Sequence, residues 1–285
     1  MEAIKLRQVT KRVKGFAMED INLTVPQGLI TGFIGPNGSG KSTTIRLIMD
    51  IIKPDQGDIF LFGERNTNAN VKKRIGFVYD NLYMYADFTL NKIKSFSAPL
   101  YPDWDEQRYR KYVDKFRLPE RKKIKTFSKG MRMKTSLLFA LAHRPELIIM
   151  DEPTSGLDPI FRRELLEELQ ELMVDEKQTI FFSTHMTTDL DQIADEIVFI
   201  YGGKIVLQKS MADIRDEYYL VKGTNEQLDA DLKKLFLGHK ETSQGFTGLM
   251  QGKRSIFHGL EEEFMIEPAS LEDIMYYMTR KGPEQ

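Results

Sequence analysis

Cysteine is absent from the 285 residues, and tryptophan occurs once. Without thiols there is no disulfide, no thiolate metal site and no cysteine nucleophile, a composition that agrees with a reducing compartment. Long apolar runs are missing too. No stretch approaches the ~18 apolar residues that cross a bilayer, and the opening M-E-A-I-K-L-R-Q lacks the apolar segment of a signal peptide. Work at a membrane is therefore expected to need a separate spanning subunit. An excess of one charge is also lacking. Lys and Arg total 41 against 42 Asp and Glu, which argues against a broad basic surface, and no nucleic-acid partner is expected. The length suits one large domain with a smaller one.

What is present is organised around residues 35–42, G-P-N-G-S-G-K-S, which satisfy the phosphate-loop pattern G-x-x-x-x-G-K-[ST] at every fixed position. Glycines let the backbone curl so that successive N–H groups face an anion. The expected nucleotide-binding residues are Gly35, Pro36, Asn37, Gly38, Ser39, Gly40, Lys41, Ser42 and Thr43. Lys41 is expected on the β- and γ-phosphates and the Ser42 hydroxyl on Mg²⁺. Residues 29–34 (L-I-T-G-F-I) form an apolar run suited to a buried strand. Residues 43–52 space Ile45, Leu47, Ile48 and Ile52 as a helix does. A helix start below the loop adds partial positive charge under the phosphates.

Alternation over residues 3–9 and 21–25 predicts an antiparallel β region ahead of the loop, and further strands are expected over 58–62 and 75–79. From 89 to about 142 the pattern turns helical, clearest over 109–116 and 134–141. Strands return over 147–150, 179–183 and 197–200, with an amphipathic helix over 164–174 between the first two. Alternating strands and helices imply a mostly parallel sheet with its ligand at the strand C-termini. A boundary is expected after 207. The tail, 208–285, reads as a small α/β appendage: a strand over 218–221, a helix over 226–236, one or two strands between 245 and 266, and a last helix over 271–279. Every chemical motif precedes this appendage. It is therefore expected to be dispensable for ATP binding and to act in dimerisation or regulation.

The strand L-I-I-M ends in Asp151 and Glu152. At that edge Asp151 suits a Mg²⁺ site and Glu152 suits polarising the water that attacks the γ-phosphate. The run D-E-P-T-S-G-L-D at 151–158, F-S-K-G-M at 127–131 and S-T-H at 183–185, in this order after the phosphate loop, resemble the ABC ATPases over about residues 1–207. The resemblance implies a P-loop ABC ATPase domain: a mostly parallel core sheet, an antiparallel β subdomain and a helical subdomain over about 89–142.

It further implies ATP and Mg²⁺, and a head-to-tail dimer with a second ATPase subunit, identical or different. A transmembrane permease would hold the pair at the cytoplasmic face of the membrane. In such a dimer Ser128, Gly130 and Asp158 act across the interface, and His185 contacts the γ-phosphate. Lys129 and Met131 replace the family's usual Gly and Gln in the signature. Asp80 replaces its glutamine and is expected to hold metal with Ser42 and Asp151. A carboxylate there repels nucleotide in the absence of Mg²⁺, so ATP is expected to bind poorly without the ion and Asp80→Asn to relieve the penalty. For the adenine-stacking aromatic, Val13 falls near the usual place and Phe16 is the candidate. These variants together look most like bacterial exporter subunits of the YtrB-like group. The alternative is a soluble ABC-type ATPase of DNA repair or translation. Such proteins usually carry a long coiled-coil insertion or two joined ATPase units, and neither pattern is present.

Overall fold

The computed structural model of the protein describes residues 1–78, 86–176, 178–257 and 259–280. Asp80, the expected third metal ligand, lies outside them, as does Tyr79 at the end of one expected strand. The chain opens with a hairpin of β1 (Glu2–Val13) and β2 (Phe16–Pro26), whose alternating Ile4, Leu6, Ile21 and Leu23 are buried. β3 (Ile30–Ile34), buried along its whole length, leads through the phosphate loop into α1 (Lys41–Ile48). β4 (Gln56–Leu61) and β5 (Glu64–Arg65) return to the hairpin and complete a four-stranded antiparallel sheet, β2-β1-β4-β5. The short α2 (Ala69–Lys72) then precedes β6 (Ile75–Val78).

The helical region holds α3 (Leu90–Ser97), α4 (Glu106–Lys115) and α5 (Lys129–Leu141). Thr89, Asp105 and Ser128 cap them, each side chain accepting from an early backbone N–H that the helix itself leaves unpaired. Trp104, Tyr109 and Phe139 meet at ring separations of 5.6–6.2 Å and join α4 to α5.

β7 (Leu147–Asp151), α6 (Pro159–Glu176), β8 (Thr179–Thr184), α7 (Thr187–Ile193) and β9 (Glu196–Tyr201) follow, and β10 (Lys204–Ser210) turns back on β9. The core sheet has the order β10-β9-β3-β8-β7-β6. Only its edge strand β10 is antiparallel. Its register sets Ile34 beside Thr184 and Asp151 beside Ser183. The C-terminal ends of β3, β8 and β7 therefore form one row.

The tail comprises α8 (Met211–Glu217), β11 (Tyr218–Gly223), α9 (Ala230–Leu235), β12 (Phe236–Thr242), β13 (Gly245–Gln251), β14 (Met265–Pro268) and α10 (Leu271–Met278). Its strands form a second antiparallel sheet, β12-β13-β11-β14. Two details differ from the sequence expectation. The helix expected over 226–236 is a short 3₁₀ turn followed by α9, and Phe236 begins a strand. The Phe236 ring fills the space a side chain at Gly248 would need, a Cβ there coming within 2.4 Å of it, and cross-strand packing outweighs local helix propensity. Second, β10 runs past 207 to Ser210. Leu207, Met211, Tyr218, Leu271 and Ile274 belong to the same buried cluster as Ile30, Ile34 and Ile197. A cut at 207 thus severs a strand of the core sheet.

Just after α5, His143 is buried and stacked on Tyr101 with ring centroids 3.9 Å apart. Burial, the largest influence, holds its imidazole below the ordinary value despite nearby carbonyls of Ile75 and Phe139. The unfolded chain, titrating near about 6.5, takes up a proton that the folded chain refuses. Stability is then full above that pH and falls as pH drops through it. The melting temperature is expected to fall between about pH 7 and pH 5 more steeply in the parent than in His143→Phe; equal slopes would remove His143 as the cause.

Candidate nucleotide site

The phosphate loop is shaped by close approach. A Cβ on Gly35 would lie 2.3 Å from the Ile200 carbonyl oxygen, and Gly40 takes a φ of 115° that side-chain-bearing residues avoid. α1 starts at Lys41 with no side-chain cap and no acidic residue in its first turn. Its early N–H groups and dipole thus face the loop without a built-in negative partner, an arrangement suited to an anion. Lys41 is only 6% exposed. Its ammonium donates to the Gly35 carbonyl at 2.7 Å and pairs with Glu152 Oε1 at 3.2 Å.

Glu152 owes its aim to the chain's turn at the end of β7. Its φ is 50°, an uncommon value for a residue with a side chain. Its N–H donates to both the backbone oxygen and the hydroxyl of Ser183, each at 3.1 Å. Its second oxygen meets His185 Nδ1 at 2.7 Å. Lys41, Glu152 and His185 therefore stand in one connected line across the ends of β3, β7 and β8. Asp151, buried behind them, accepts the Ser183 hydroxyl at 2.7 Å.

A cleft of about 470 Å³ lies over this line, bounded by Phe16, Asn37, Gly38, Gly40, Lys41, Ser42, Thr43, Glu152, Ser155 and His185. Phe16 thus reaches the cleft, while Val13, opposite it in the hairpin, is 44% exposed and does not line it. The Ser42 hydroxyl and the Asp151 carboxylate are hard oxygen donors of the kind Mg²⁺ takes. Among the described residues no group of three or more His, Cys, Asp or Glu could cage a metal.

Gly35, Pro36, Ser39 and Asp151 lie close to lining residues in the chain without lining the cleft themselves, whereas three expected residues stand apart from it. Ser128 caps α5, its Oγ accepting from Met131 N–H at 3.2 Å. Gly130 lies against Phe161, where a Cβ would come within 3.1 Å of the ring. Asp158 caps α6 by accepting from Phe161 N–H at 3.0 Å. None of the three lines the cleft. Lys129 extends over Gly156, its ammonium 2.5 Å from where a Cβ would sit.

The sequence reading overlooked Ser183, Ser155 and Arg162. Ser155 and Ser183 lay within motifs already quoted; Arg162 is an ordinary residue whose partners come only from folding. Arg162 on α6 pairs with the fully buried Asp189 on α7 at 2.5 Å and donates to Thr188 Oγ1 at 2.8 Å. Arg162→Met leaves Asp189 charged and unpaired in the interior. It is expected to cost about 3 kcal/mol of stability, read from denaturant midpoints; a midpoint within error of the parent would show the pair to be neutral.

The fold and this site define a phosphate-loop ATPase. The family model described as "ABC transporter" matches residues 18–155. The chain is 31% identical over 219 residues to YhcH of Bacillus subtilis (strain 168), an uncharacterized ABC transporter ATP-binding protein, covering 75% of this chain and 71% of the relative. It is 29% identical over 221 residues to the ABC transporter ATP-binding protein YtrB of the same strain, covering 77% and 76%. Among solved structures, the dimeric structure of MJ0796, a bacterial ABC transporter cassette, matches with a TM-score of 0.65 at 25% identity, over 73% of this chain and 98% of that one. The chain belongs to the ATP-binding proteins of ABC transporters, ATPases whose hydrolysis of ATP drives transport.

Proposed function

We propose that the chain is one of two nucleotide-binding subunits, identical or different, that close head to tail on two ATP molecules and drive export through a separate permease. The observation that carries this is the division of the site. Lys41, Glu152 and His185 converge on one cleft, while Ser128, Gly130 and Asp158 lie outside it, available to a second subunit's nucleotide. The dimeric structure of MJ0796 supports the same reading.

In this scheme the α1 N-terminus and Lys41 bind the phosphates, and Phe16 offers the adenine an aromatic face. Arriving phosphate competes with Glu152 for Lys41, freeing the carboxylate to take a proton from the attacking water. His185 orients Glu152 and the γ-phosphate. Mg²⁺, held by Ser42 and Asp151 with Asp80 as a further candidate, would supply charge neutralisation at the phosphates. Among the described residues no helix is long and apolar enough to cross a membrane. The permease would supply the path and hold the subunit at the cytoplasmic face.

Reconstitution with a transmembrane permease that co-purifies with the chain tests both halves of the proposal. With the ATPase subunits facing outward on the vesicles, ATP should drive solute into the lumen. ATP-driven loss of solute from the lumen would indicate import. Stimulation of hydrolysis by DNA or ribosomes, with no co-purifying membrane protein, would favour the soluble alternative.

A further inference from the structure

α10 is the part of the tail that shares a groove with His185. Ser270 and Asp273 cap it reciprocally, and Leu271, Ile274 and Tyr277 bury one face in the cluster that also holds Leu190 and Ile193 of α7. That shared core fixes α10 against α7. α7 begins two residues after His185. Between the two helices runs a groove of about 490 Å³, with Pro36, His185 and Met186 on one wall and Met275, Tyr276 and Thr279 on the other. Tyr201 crosses its end, its hydroxyl donating to the Thr279 carbonyl at 3.5 Å.

His185 needs outside support. Its side chain is 42% exposed, and among the described residues Glu152 is the imidazole's only polar partner. One hydrogen bond leaves a ring on a short connection free to swing, and Met275 and Tyr276 face it across the groove. Met275 and Tyr276 are half-buried and carried by a helix whose inner face cannot move without opening the core.

We infer that Tyr276 and Met275 are positioning residues for ATP hydrolysis. From α10 they brace the segment bearing His185 and keep the imidazole on Glu152, so the tail sets the rate of the chemical step and leaves nucleotide affinity alone. The inference rests on the functional reading above, in which Glu152 and His185 act on the attacking water. A misplacement of this kind lowers kcat because alignment, not binding energy, is lost.

The test uses the full chain and compares the parent with Tyr276→Ala, Tyr276→Phe, Met275→Ala and Ile256→Ala, the last at an exposed site elsewhere in the tail. Tyr276→Ala should lower kcat by about fivefold with KM for ATP unchanged within error. The ¹⁵N imidazole resonances of His185, assigned by their loss in His185→Gln, should shift in Tyr276→Ala. Tyr276→Phe should restore both readouts, because the ring forms the wall. Met275→Ala should lower kcat in the same direction, and Ile256→Ala should match the parent. If Tyr276→Ala does not melt cooperatively, Met275→Ala decides. The inference is overturned by a parental kcat in the folded alanine variant, by Tyr276→Phe as slow as Tyr276→Ala, or by a KM that rises while kcat holds. Lys41→Ala, run alongside, separates the two readings. If it abolishes hydrolysis while Tyr276→Ala leaves kcat untouched, the brace fails and the ATPase reading stands.

Discussion

Lys41→Ala is expected to lower ATP hydrolysis by at least about 10³-fold, the scale of losing a preorganised charge at a developing anion. Three observations combine in that expectation. Lys41 is 6% exposed, so its charge acts where water screens it little. Its ammonium is held by the Gly35 carbonyl and Glu152, which fixes it at the mouth of the helix before any phosphate arrives. Alanine provides no cation, and the α1 dipole alone supplies only partial charge. The fold should survive, since the apolar residues of α1 that reach the core, Ile45, Leu47 and Ile48, are untouched. The measurement is steady-state phosphate release from a variant that melts cooperatively. Turnover near the parental rate would mean the loop lysine is ornamental.

Glu152→Gln is expected to keep ATP binding and to slow turnover by roughly 10²-fold or more, the order attached to a general base. Glutamine preserves the length and can still accept from Lys41, so the connected line to His185 keeps its shape. What it loses is the capacity to take the water's proton. Binding and hydrolysis then separate, and under the two-subunit proposal the ATP-bound dimer should accumulate. Sedimentation or light scattering with ATP and Mg²⁺ reads this directly. A slow variant that stays monomeric with ATP bound would count against the shared site and leave the base assignment in place.

The two predictions draw on parts of the site that were unequally legible. The phosphate loop is eight consecutive residues whose conformation follows from glycine placement and flanking periodicity, so its position between strand and helix could be read directly. Asp151, Glu152 and His185 could be placed at strand ends. That Glu152 touches both Lys41 and His185 could not be read, because it depends on the register of β3, β8 and β7 and on the positive φ at Glu152. The role of Ser183 escaped notice for the same reason: a serine gains a role only once the register sets it beside Asp151. The tail was the least legible region. β12 follows a helix-like stretch, and the packing of Phe236 over Gly248 and against Phe246 on the neighbouring strand explains why it lies in a sheet.

The sequence by itself determined the chemistry on offer: an anion loop with its lysine, paired carboxylates on a buried strand, a histidine after another, and no thiol. It also determined the kinds of elements, because periodicity and caps act over a few neighbouring residues. The tertiary structure alone decided who meets whom. Strand order, register and a core that runs from β3 into α10 are set by packing between residues far apart in the chain. Such packing is a property of the whole buried cluster and of no local segment.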